Sequence, residues 1–172
     1  MTQSRFNACL LSLFKVRHRG LATLATATMS LVAAGCGSGG GGQLSKAQYQ
    51  QHLSSDSQAI GTAVKPLITP PRTMQELASR LKVGESELNH AADDLDGLKV
   101  PSNAAKSNHT LVKGLRTFAD ELDAFRKAAE KNDPQLLQKS YTELQHSHAL
   151  VDVRDASADL KKKGYKLGVL AQ

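Results

Sequence analysis

Two Glu-x-x-His pairs, Glu87…His90 and Glu143…His146, are the residues whose types and spacing come nearest to chemistry. Residues three apart share a helix face, so a carboxylate and an imidazole placed this way can reach one ion. Carboxylate sites in four-helix scaffolds hold two metal ions with such pairs plus a Glu from each remaining helix. The apolar residues around the pairs set a phase against that use. With Leu81, Leu88 and Leu95 facing inward, Glu87 falls on a flank and His90 turns to solvent; with Leu144 inward, Glu143 and His146 point away. Residues 46–67 contain no Glu, and their one acid is Asp56. All four residues are expected at the surface, and no bound metal or cofactor is expected.

Weaker patterns dissolve in the same way. His146-Ser147-His148 would present two imidazoles to one side of a strand, but on a helix they diverge by about 200°. There is no Cys-x-x-Cys-His for covalent haem, and no spacing selects a histidine to pair with Met74 around a non-covalent one. The run Gly37-Ser38-Gly39-Gly40-Gly41-Gly42 spells a dinucleotide glycine pattern without the strand that would have to precede it. Phosphate-loop, zinc-protease and serine-nucleophile motifs are missing, and Asn108-His109-Thr110 is a glycosylation sequon in spelling only. A catalytic role is therefore not expected.

Cys36 is different, because its neighbourhood has the layout of an export signal. Lys15-Val16-Arg17-His18-Arg19 is a basic segment, and residues 21–34 form an apolar run of 14. A membrane span needs about 20 such residues, so the run fits a cleaved signal peptide. Ala33, Ala34 and Gly35 before Cys36 are small, as a signal peptidase requires. This stretch resembles the bacterial lipoprotein signal, in which a small residue precedes the modified cysteine. Ala33 stands where that family most often has Leu, and the branched Val32 lies one place earlier. The resemblance implies a diacylglyceryl group on the Cys36 thiol, cleavage between Gly35 and Cys36, and palmitate-like chains on a mature N-terminal cysteine. Residues 1–35 would then be signal peptide, 36–43 the lipidated cysteine with a flexible Gly/Ser tether, and 44–172 a folded domain.

Charge agrees with removal of the leader. The whole chain carries +6, but four of its 22 basic residues and none of its 16 acidic ones precede Cys36, so the mature part is close to neutral. Its basicity is no argument for nucleic acid, which is not expected as a partner. The 137 mature residues suffice for one domain. With Cys9 in the leader, Cys36 is the only mature cysteine and no disulfide can form within the chain.

Helices must position whatever this domain offers. Ser45 and Gln48 are spaced as a capping box, with Leu44 and Tyr49 as its staple, and apolar residues continue through Leu53, Ile60, Val64 and Leu67 until Pro66 stops the helix. Thr73 and Glu76 suggest a second capping box, followed by Met74, Leu77, Leu81, Gly84, Leu88, Ala91, Leu95 and Leu98, with Gly97 as the stop. Ser102 is the expected cap of a third helix through Leu111, Leu115, Phe118, Leu122, Phe125 and Ala129. Asp133-Pro134 starts a fourth, whose stripe of Leu137, Tyr141 and Leu144 slips to Ala149, Val153, Ala156 and Leu160. The slip predicts a kink, π-bulge or break within residues 145–148. Lys161-Lys162-Lys163-Gly164-Tyr165-Lys166 could touch anionic headgroups, but the three lysines before Gly164 better suit a helix C-terminus with a solvated tail.

Steps of three and four on helices joined by short turns predict an all-α, antiparallel up-down-up-down four-helix bundle. The expected function is that of a membrane-anchored cell-envelope lipoprotein, extracytoplasmic and uncharacterised in its ligand, acting as a binding or structural interaction module. Its partners would be the membrane, through the lipid, and an envelope protein or small ligand. The alternative is a metal or haem carrier on the same scaffold.

Overall fold

The computed structural model describes residues 42–168. The leader, Gly35, Cys36 and most of the tether lie outside the described residues, as does the end of the 44–172 domain. The rest is all-α: α1 (Lys46–Val64), α2 (Met74–Asp96), α3 (Ala105–Lys131) and a fourth limb in two pieces, α4 (Pro134–Gln145) and α5 (His148–Lys162). No helix among the described residues is long and apolar enough to cross a membrane.

Local chemistry sets the helix ends. Ser45 Oγ accepts from Gln48 N while Gln48 Oε1 accepts from Ser45 N (2.9 Å), which completes the first capping box. At Val64 the chain tightens into a 3₁₀ turn, Lys65–Ile68, that carries Pro66. Thr73 caps α2 through Glu76 N (3.0 Å), but the second capping box stays open. Glu76 turns instead to Arg72 N (2.8 Å) and to the Arg80 guanidinium. Ser102 does not cap α3, because Pro101 O accepts from Ala104 N (2.8 Å) and the chain makes a turn there first. The N-cap is Ala104, fully buried and with no side-chain cap. Asp133 Oδ1 accepts from Gln135 N and Leu136 N to start α4.

The stripe slip in the fourth limb is a break. Ser147 stands extended between the two pieces, and its hydroxyl accepts from Ala149 N (3.1 Å) as a fresh N-cap. This lets α4 and α5 each turn their apolar side onto α3. Gly114 of α3 allows the close approach: a Cβ there would lie 2.8 Å from Val153 Cγ2 and 3.1 Å from Ala149 O.

Neighbouring helices run antiparallel, as the cross-links show. Arg116 of α3 meets Asp93 and Asp96 of α2, whereas Arg126, one end along, meets Glu85 (3.0 Å). Ser107 at the start of α3 meets Asp159 and Lys163 near the end of α5. The stripes form one core in which Leu53, Leu81, Leu88, Leu95, Leu111, Leu115, Leu122 and Leu160 are buried. Each fully buried Leu contributes roughly 1.5–3 kcal/mol of transfer free energy.

Candidate functional site

The close packings are α1 on α2, α2 on α3, and α3 on both α4 and α5; α1 and the fourth limb barely meet. A closed bundle would join them, so a gap runs along the molecule between these two elements. Its two halves are treated differently.

In the half nearer the N-terminus of α1, the chain closes the gap with its own tail. Gly164, at φ 81°, reverses the backbone after α5, with Gly164 N donating to Lys161 O and Tyr165 N to Leu160 O. The tail then lies along α1. Tyr165 and Leu167 are buried, Tyr165 packs edge-on against Tyr49 with ring centroids 5.3 Å apart, and Ser57 Oγ donates to Leu167 O. A polar chain is buried beside them: Tyr49 OH donates to Asn108 Oδ1 (2.8 Å), and Asn108 Nδ2 donates to Leu95 O (3.0 Å). Burial, helped by Tyr165 and Asp56, pushes the Tyr49 phenol up, so it remains a donor. Tyr165 and Leu167 correct the expectation of a solvated tail, and Asn108, read as an idle sequon, ties three helices together.

The described tail ends at Gly168, beside Ser57. One turn further along α1 the gap is open, as an apolar cleft of about 290 Å³. Ile60 and Val64 of α1, Leu81 of α2, Phe118 and Leu122 of α3 and Leu150 of α5 are among its walls. Of the fourteen lining side chains among the described residues, Tyr141 alone carries a polar group, and that hydroxyl accepts from Gln145 Nε2 (2.9 Å). Exposed Leu150 lies at the mouth. Comparison of the chain with protein-family models, curated proteins and solved structures found no match. What this cleft can do is therefore read from its walls. It offers dispersion and dehydration to an apolar molecule, with the Tyr141 hydroxyl as the one polar group among its described walls.

The Glu-x-x-His residues are not among its walls. His90 is exposed, with Nδ1 3.2 Å from Asp94 Oδ2 on its own helix. Glu143 is exposed and pairs with Lys139 (3.8 Å), and His146 is exposed at the break. Glu87 is half-buried at the rim of a shallow depression between α1 and α2. Among the described residues no group of three or more His, Cys, Asp or Glu is arranged to hold a metal ion.

One buried acid stands out. Asp56 of α1 is 7% exposed, and its Oδ2 has no hydrogen-bond partner among the described residues. Burial, and then the charge of Asp94, push its carboxyl up to about 6, while His52 and His90 pull the other way.

Proposed function

We propose that residues 36–172 form a lipid-anchored binding module of a bacterial cell envelope. Acyl chains on Cys36 hold it to the extracytoplasmic face of a membrane, and the cleft takes a small, uncharged, apolar molecule. The observation that carries the binding role is the cleft itself, a hydrocarbon-walled hollow within an otherwise packed core. At about 290 Å³ it is roughly twice the ~150 Å³ engineered cavity that stays dry and admits benzene in another protein. A concave apolar site of that size is where ligand binding is first sought. The anchorage is supported by Ala33, Ala34, Gly35 and Cys36 behind their apolar run. Two acyl chains, at about 0.8 kcal/mol per buried CH₂, hold a protein stably where one is marginal.

Both parts are open to test. Cys36→Ala should abolish acyl labelling and remove the protein from the membrane fraction or leave it unprocessed; normal labelling in the variant refutes the anchor. For the cleft, the neutral dye N-phenyl-1-naphthylamine should bind saturably at one per chain. Val64→Phe with Leu67→Phe, which adds two rings inside the walls, should abolish that binding while the far-UV dichroism stays helical. Dye binding that survives the filled cleft puts the site elsewhere.

A further inference from the structure

Four helix ends meet at one end of the bundle: the starts of α1 and α3 and the finishes of α2 and α5. Leu44 N donates to Lys99 O (2.7 Å), and Lys46 Nζ donates to Lys163 O (2.9 Å), so the stretch that follows the tether is fixed to this end. Lysines gather here. Lys46, Lys99, Lys106, Lys161, Lys162 and Lys166 are exposed, and Lys163 is half-buried. Of the carboxylates nearby, Asp93 and Asp96 are engaged by Arg116 (2.9 and 3.0 Å) and Asp159 by Lys163, and Asp94 Oδ2 lies 3.2 Å from His90 Nδ1. Among the described residues no carboxylate lies within 4 Å of Lys106, Lys161, Lys162 or Lys166. The mature chain is nearly neutral as a whole, so this excess is a property of one end.

We propose that this lysine-bearing end is a docking surface for anionic lipid headgroups, and that it stands the bundle upright on the membrane with the cleft held away from it. The inference rests on the anchored reading. Five residues lie between Cys36 and Gly42, a span of roughly 20 Å even when fully extended, so a lipid on Cys36 keeps this end within reach of the headgroups. An anionic leaflet attracts lysines that come within a Debye length, about 8 Å at physiological salt. The four exposed lysines with no carboxylate in direct contact are the ones that can meet it.

The test uses the processed, acylated protein reconstituted into phosphatidylcholine vesicles with or without 30 mol% phosphatidylglycerol. Flotation reads the anchor, and amine acylation of each lysine, quantified by mass spectrometry, reads the docking. On anionic vesicles Lys106, Lys161, Lys162 and Lys166 should label at least fivefold more slowly than on neutral ones. Lys65 and Lys131 at the opposite end should be unchanged, and 0.5 M salt should erase the difference. Lys161→Gln with Lys162→Gln and Lys166→Gln should also remove the protection of Lys106. Equal labelling on both vesicles, or equal protection of Lys65 and Lys131, overturns the docking surface. Failure to float on neutral vesicles refutes the anchor instead; flotation on anionic vesicles alone would then still sustain docking, and flotation on neither would overturn both.

Discussion

The two halves of the gap between α1 and the fourth limb share the same helices and differ in what fills them. Towards the N-terminus of α1, Tyr165 and Leu167 enter from the chain's own tail, and the Tyr49–Asn108–Leu95 hydrogen bonds lock the interior. Towards the far end no side chain among the described residues completes the packing, and the walls around Ile60, Val64 and Leu150 are left as a cleft. One half is closed by a wedge and a buried polar chain, and the other rests on apolar walls alone. The same core stripe can thus serve stability at one end and leave room for a ligand at the other.

The largest effect should come from withdrawing the wedge. Tyr165→Ala or Leu167→Ala should each cost about 2–5 kcal/mol in urea unfolding, as for other large buried side chains cut to alanine. Leu150→Ala at the cleft mouth should cost under about 1 kcal/mol, because Leu150 is 41% exposed. Similar losses at the two places would break the comparison. Next in size, Asn108→Ala leaves the Tyr49 hydroxyl and the Leu95 carbonyl buried without partners. At about 1–3 kcal/mol for each orphaned group, roughly 2–4 kcal/mol is expected, measurable by thermal unfolding.

A smaller effect follows pH. Asp56 has its folded carboxyl raised to about 6, above the 3.8 of a free aspartate, so the folded state binds the proton more tightly than the unfolded one. Stability is therefore greatest below about pH 4 as far as this group is concerned, and is lost as pH rises through 6. Asp56→Asn should stabilise the protein at pH 7.5 by on the order of 1–3 kcal/mol, and its advantage should vanish near pH 4. A constant advantage across that window would show that the carboxyl titrates normally. Smallest of all, alanine at Glu87, His90, Glu143 or His146 should change unfolding free energy by no more than about 0.5 kcal/mol each.

Much of the bundle was legible because helices are written locally. Ser45, Thr73 and Asp133 cap their helices as their side chains suggest, and the slip between Leu144 and Ala149 marks the break at Ser147. Ser102 misled, since a capping residue is overruled when the chain needs a turn to bury Ala104. The wedge was illegible: two apolar residues behind three lysines and a glycine have no periodicity to reveal a buried face. The Asn108 bond to Tyr49 spans 59 residues, and no local pattern announces such a pair. The cleft was hidden for a related reason. Its walls are ordinary stripe residues, and no local pattern shows which part of such a stripe lacks a neighbour across the gap.

The chain has no tryptophan, which permits a direct test of the account. Leu150→Trp places the sole indole at the cleft mouth, and Tyr165→Trp places it in the closed half. On titration with N-phenyl-1-naphthylamine, the Leu150→Trp indole should be quenched by energy transfer, saturating at one dye per chain. The same signal should be lost when Val64→Phe and Leu67→Phe fill the walls. Tyr165→Trp should already emit at short wavelength, and that wavelength should not move. An unquenched Leu150→Trp, quenching that survives the filled walls, or a wavelength shift in Tyr165→Trp would contradict an open ligand site beside a closed one.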